Sequence, residues 1–116
     1  AHEVIEAVSH TPPDIEATIY KATEILAACA RAGGVKIDEI KSPRRDKKVM
    51  AARLAYYYIA RHHTNASFPM IGRLVGGRDH GSVMSGVKRV NRAIEGNETP
   101  ITRVVFGALK LLEEGL

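Results

Sequence analysis

"GGRDHGSVMSGVKRV", residues Gly76 to Val90, is the stretch on which the fold turns. Two glycines break whatever precedes them. Asp79 is a capping residue type, and from His80 onward the apolar positions recur at helical spacing. Val83, Val87, Val90 and Ile94 fall at i, i+4, i+7 and i+11, the buried stripe of an amphipathic helix. Upstream, Ser67 is placed to cap a brief helix carrying Phe68, Ile71 and Leu74. Short helix, tight glycine turn and longer helix together predict a helix-turn-helix spanning about Ser67 to Ile94. In that motif the second helix lies in the DNA major groove.

The outward face of the longer helix fits that use. At ~100° per residue, the side opposite Val83 holds Gly81, Ser85, Lys88, Arg89 and Arg92. Small and hydroxylic groups lead and cations follow, the order needed by a helix whose tip meets base edges while its body passes phosphates. Arg78, Asp79 and His80 sit at the helix start, where free amides and the dipole attract anions. Asp79 can cap the helix or accept from a cytosine amino group; His80 can bond a base edge or a phosphate, or simply face solvent. The expected base-contacting set is Arg78, Asp79, His80, Ser82, Ser85 and Arg89, with Ser82 at the edge of the face. The expected phosphate-contacting set is Arg45, Lys47, Lys48, Arg61 and Lys88.

The flanking sequence is helical as well. "TPPD" (Thr11 to Asp14) reads as a capped, proline-started helix continuing through Ile15, Ile19, Ala22, Leu26 and Cys29 and stopping at Gly33-Gly34. "VKIDEI" is a connector or a single turn with Val35, Ile37 and Ile40 inward. Lys47 to His63 is apolar almost all round, the mark of a helix in the middle of a bundle. Thr99 and Pro100 repeat the cap-plus-proline start before a final amphipathic stripe, Ile101 to Leu112. No period-2 strand is present, so the fold class is all-α: a helical bundle with a helix-turn-helix. Residues 11–116 form one domain, and Ala1 to His10 read as a flexible leader.

Composition narrows the partner. The chain of 116 residues carries a net charge of +4, but Arg44 to Arg92 holds eleven Lys or Arg against two acids. That is +9 over one segment and −5 over the rest, an asymmetry that favours a polyanion. The single cysteine, Cys29, excludes an internal disulfide, fits a reducing cytoplasm and reads as a small core residue. No apolar run reaches the ~20 residues of a membrane span. Within these residues there is no GxxxxGK[ST] phosphate loop, so no nucleotide, metal or other cofactor is expected.

These residues resemble the C-terminal DNA-binding domain of the bacterial replication initiator DnaA family, a Trp-repressor-like helical fold. The family signature is close to "GGRDHTTV"; this chain has "GGRDHGSV". "TNASFPMIG" (Thr64 to Gly72) is similar to the family's "T..S.P.IG" at the right spacing, "ARLAYYYIAR" to its preceding helix, and "KIDEIKSPRR" to its entry into a basic loop. The likeness covers roughly Ile19 to Leu112. It implies double-stranded DNA as partner, with replication or transcription proteins as further partners, and the loop around Arg44 to Lys48 on the DNA backbone. It also implies base contacts from the Asp, His and Thr of the signature, and an arginine in the minor groove from the start of the earlier helix. Asp79 and His80 match. The Thr position is Gly81, and counting back from "TNAS" places the minor-groove arginine at Ala51, with Arg53 matching a neighbouring family arginine. Both departures predict a DNA binder of altered or weaker sequence preference, either a stand-alone relative or a fragment.

Two other functional classes find some footing in the sequence. Asp79, His80 and Ser82 supply the residue types of a hydrolytic triad, but consecutive residues at a helix start diverge, whereas a triad needs chained hydrogen bonds. His62, His63, His80 and Cys29 lack zinc-ligand spacing. The chain is therefore read as a non-enzyme. The open alternative is a protein-interaction module on the same fold, with the Tyr56-Tyr57-Tyr58 run in part exposed or, as preferred, packed on the first or last helix.

Overall fold

A computed structural model describes residues 15–115 as six α-helices. They are α1 (Ile15–Gly33), α2 (Ile37–Lys41), α3 (Lys47–His63), α4 (Phe68–Arg73), α5 (His80–Glu95) and α6 (Ile101–Glu113). The expected leader, Ala1 to His10, and the Thr11–Asp14 helix start lie outside the described residues. Among the described residues there is no strand, and no helix is long and apolar enough to cross a membrane.

α3 is the axle of the bundle and packs against every other described helix. Its sequence explains why. Val49, Ala51, Ala52, Ala55, Tyr56, Tyr57, Ile59 and Ala60 are all buried, so apolar groups point in several directions around the helix. The many alanines keep its surface narrow, which lets α1 and α6 approach on one side and α4 and α5 on the other. α1 contributes Ala22, Ile25, Leu26, Ala28, Cys29 and Ala30 to that core. α6 adds Ile101, Val104, Val105 and Ala108. Cys29 is fully buried, and burial pushes its thiol pKa up, so it is a packing residue.

α5 crosses α3 where Gly86 meets the Tyr57 ring. A Cβ at Gly86 would stand 2.5 Å from Tyr57 Cδ2 and 3.1 Å from Leu54 Cδ2. The tyrosine run therefore packs differently from the expectation. The Tyr56 hydroxyl donates to the Ile71 carbonyl on α4 (3.0 Å), and Tyr57 lies under α5. These rings seat the helix-turn-helix on the central helix, because α4 offers an acceptor carbonyl and α5 a glycine notch to receive them. Tyr58 is half-buried, with its ring 4.4 Å from that of His62.

The start of α6 also departs from expectation. Pro100 itself occupies the N-cap position in a helical conformation, with no side-chain cap. The chain satisfies the helix start by backbone: the Glu98 carbonyl accepts from the Thr102 amide (3.1 Å). The Thr102 hydroxyl then donates to Ala93 of α5 (3.2 Å), tying the last two helices together.

The Gly86 contact yields a stability test. Gly86→Ala should gain helix propensity, yet the added methyl has only a buried ring to displace. Net destabilisation of about 1–3 kcal/mol is expected in urea unfolding, whereas an exposed-helix glycine would gain stability.

Candidate nucleic-acid interface

The helix-turn-helix is built by three local devices. Ser67 Oγ accepts from the Met70 amide (3.2 Å) and starts α4, with Pro69 in the first turn. Gly76 (φ +91°) and Gly77 (φ +76°) then make a left-handed turn that residues with a Cβ would resist. The turn folds back onto α4 through Gly72, whose carbonyl accepts from the Arg78 amide (2.9 Å). A Cβ at Gly72 would run into the Arg78 carbonyl. Asp79 finally caps α5, its Oδ1 accepting from the Ser82 amide at 2.8 Å. That bond and a second from the Ser82 side chain hold the Asp79 carboxyl below its ordinary pKa.

Beside the turn lies the basic loop, and a buried arginine organises it. Arg53 on α3 is 3% exposed and has no carboxylate partner among the described residues. Its guanidinium donates to the carbonyls of Ile40 (2.9 Å), Ser42 (2.7 Å) and Arg44 (2.8 Å), with a longer bond to Glu39 (3.4 Å). Burial, followed by the charge of Arg78, lowers its pKa from the ordinary arginine value. Arg78 approaches from the other side, donating to the same Ser42 carbonyl and to Val75 (2.7 Å). Two guanidinium groups thus converge on one peptide oxygen and hold the loop against the turn.

The result is a concavity of about 1040 Å³ between the loop and the outward side of α5. Of the expected site residues, Arg45, Arg78, Asp79, Ser82, Ser85 and Arg89 line it together. Lys41, Arg53 and Arg92 also line it, cations that the sequence reading left out of the site. Arg92 falls on the outward helical face computed from the sequence, though outside both expected contact sets. Lys41 carries no signal in the sequence and Arg53 only its match to a family arginine, because the folded loop alone brings them there. His80 and Lys88 are exposed on α5 but do not line the concavity. At one residue per 100°, they fall on the flank that also bears Met84. Lys47 and Lys48 are exposed at the start of α3.

Three expected residues have their guanidinium groups or their positions accounted for in ways the sequence did not foretell. Arg78 faces backbone carbonyls. Arg61, at the far end of α3, lies over the Phe68 ring (4.2 Å) and donates to Ala66 (3.2 Å). Arg89 is paired with Glu98 through both terminal nitrogens, at 2.8 and 2.6 Å. Ala51 requires a correction. It is 3% exposed on the core side of α3 and does not line the concavity, so a methyl suits its packing. Gly81 is exposed, and a Cβ there would meet only Asp79 Oδ1 at 3.4 Å. Among the described residues, no three His, Cys, Asp or Glu side chains converge to hold a metal.

Residues 22–90 match the family described as the bacterial dnaA protein helix-turn-helix. The chain is similar to the chromosomal replication initiator protein DnaA of a Picosynechococcus strain, 34% identical over 86 residues. It is similar also to that of Streptococcus pyogenes serotype M5, 32% identical over 99 residues. These alignments cover 74% and 85% of the chain but 19% and 22% of the relatives, so it spans about a fifth of their length.

Two measurements follow from the geometry. Arg53→Met should leave the Ile40 and Arg44 carbonyls without their side-chain donor, and Ser42 with Arg78 alone, and lower stability by about 2–4 kcal/mol in chemical denaturation. Arg53→Lys should recover little, because one ammonium cannot span the fork. For Asp79, a depressed folded pKa means the cap is at full strength above the unfolded value of about 3.9 and is lost as pH falls through the lower folded value. Asp79→Asn keeps a capping oxygen that does not titrate. Wild type should therefore lose stability relative to this variant on acidification, read as the difference between their thermal midpoints across pH.

Proposed function

We infer the function from one premise: the chain belongs to the bacterial DnaA helix-turn-helix family. The domain binds double-stranded DNA, with the leading end of α5 in the major groove and the basic loop on the adjoining backbone. The observation that carries this is the shared concavity, in which Arg45, Lys41, Arg89 and Arg92 surround Asp79, Ser82 and Ser85. Cations ring a small polar tip, the arrangement that phosphate positioning and base reading together require.

Base edges fall to Asp79, His80, Ser82 and Ser85, the exposed polar groups nearest the α5 start. Arg78 holds the turn through its carbonyl contacts and supplies charge close to the helix tip. Arg89 lies roughly 14 Å along α5 from His80 at 1.5 Å per residue, a distance that suits a phosphate better than a base at the tip. Lys47, Lys48, Arg61 and Lys88 take further phosphates. With Ala51 buried, the minor-groove role implied by the family likeness passes to Arg45, an exposed arginine of the loop before α3 that lines the concavity. Gly81 is then the one departure that removes a base-reading group, worth ~1–3 kcal/mol of discrimination.

The relatives are named chromosomal replication initiators, which favours a role in DNA replication initiation in the bacterial cytoplasm over one in transcription. Catalysis is not part of this reading. The competing view, a protein-interaction module on the same face, has little to stand on: Met84 is the only large apolar side chain exposed on α5 among the described residues.

Fluorescence anisotropy on duplexes with and without the initiator's usual box, at three salt concentrations, tests the proposal. Affinity should fall steeply with salt, and the box should win by a modest factor. Binding that ignores salt, or none at low salt, overturns it. Gly81→Thr should fold normally and widen the margin for the box by roughly 5- to 100-fold, one base contact of ~1–3 kcal/mol. Arg45→Ala should weaken binding to the box more than to scrambled DNA.

A further inference from the structure

The turn between α5 and α6 places an acid against the DNA-facing helix. Glu98 lies nine residues beyond Arg89, and its carboxylate engages both terminal nitrogens of that arginine, at 2.8 and 2.6 Å. The partners are part-exposed, with side-chain accessibilities of 37% for Arg89 and 45% for Glu98. The acid is not there by the chance of a floppy loop. The Glu98 amide donates to the Ala93 carbonyl (2.7 Å) and its carbonyl accepts from the Thr102 amide (3.1 Å), so both flanking helices fix its backbone. The Arg89 hydrogen bonds, with Arg92 nearby, hold its carboxyl below the ordinary glutamate pKa, so it is ionised at neutral pH.

A guanidinium offers a two-pronged edge that carboxylate and phosphate fit in the same way. While Glu98 occupies that edge, a DNA phosphate must displace it. Once displaced, the carboxylate is left beside a polyanion. Both effects oppose binding, and neither depends on base sequence. We propose that Glu98 is a built-in competitor for the DNA backbone at Arg89, which lowers the affinity of the domain for any duplex and so raises the share of binding decided by base contacts. The inference rests on the DNA-binding reading of this face.

Glu98→Gln removes the charge and keeps the shape. Its affinity for a scrambled duplex, read by anisotropy at low salt, should rise about 2- to 10-fold, and its log–log salt slope should steepen by about 0.9, one phosphate. Glu113→Gln makes the same change in net charge at the end of α6, beside the hollow lined by Lys21, His63 and Phe106, and should gain little. In an Arg89→Gln background the gain from Glu98→Gln should shrink, to what the carboxylate's own repulsion of the polyanion accounts for. Circular dichroism melts show whether each variant is folded, and Glu98→Ala supplies a second variant of the same expected sign. Unchanged or weaker binding by both Glu98 variants overturns the inference, as does an equal gain from Glu113→Gln. Wild type that binds no duplex at low salt overturns the DNA-binding reading itself and this inference with it. Wild type that binds while neither Glu98 variant gains overturns this inference alone.

Discussion

The basic loop, the glycine turn and the start of α5 all hang from the peptide oxygen of Ser42. It accepts from Arg53, which rises from the central helix, and from Arg78, which comes from the turn before α5. Three elements far apart in sequence are thereby fixed at one point: the axle, the basic loop and the motif that carries the recognition helix. Like charges so close repel, and the arrangement holds because carbonyl dipoles of Ile40, Ser42, Arg44 and Val75 surround them. The choice of acceptor has an electrostatic consequence. A carboxylate would have cancelled the charge; carbonyls satisfy the donors and leave both positive charges in place beside the concavity.

Sterics supply the second constraint. The recognition helix sits close to the axle because Gly86 leaves room for the Tyr57 ring, and the turn closes because Gly72 leaves room for the Arg78 carbonyl. Close approach shortens the distance between loop and helix, which is what makes a concavity of their facing sides. The same contacts explain the burial of Tyr56 and Tyr57, two polar-tipped rings in an otherwise aliphatic core. One donates its hydroxyl to α4, and the other fills the notch under α5. They are hinge pins between the bundle and the helix-turn-helix.

Acid placement distinguishes the charges that reinforce the face from those that restrain it. Arg44 is drawn into pairs with Glu39 and Asp46, which shapes the loop and takes that cation out of the field. Arg89 is drawn to Glu98 in the middle of the face itself. Lys41, Arg45, Lys47, Lys48, Lys88 and Arg92 pair with no carboxylate among the described residues, and they set the field that a polyanion would meet. A count of basic residues along the chain does not make these distinctions.

Elements and caps were legible in the amino-acid sequence because they are local. Helical spacing of Val83, Val87 and Val90, the Ser67 and Asp79 caps and the Gly76-Gly77 turn each depend on residues within a few positions, and each is where the pattern puts it. Thr99 is not the cap that the sequence suggests, since proline-led starts look alike in sequence and here Pro100 itself takes the cap position. The site was half legible: one face of one helix could be computed from its angles, which collected Ser85, Arg89 and Arg92. Partners separated by ten or more residues could not be. That Ala51 points into the core, that Arg53 builds the loop and that Arg78 shares its acceptor were decided by tertiary contact. The sequence determines which helices form and which faces are charged, through backbone geometry alone. Which of those charges remain available to a ligand is set by the fold, because a hydrogen-bonding group is engaged or left open only by what stands within about 3 Å of it.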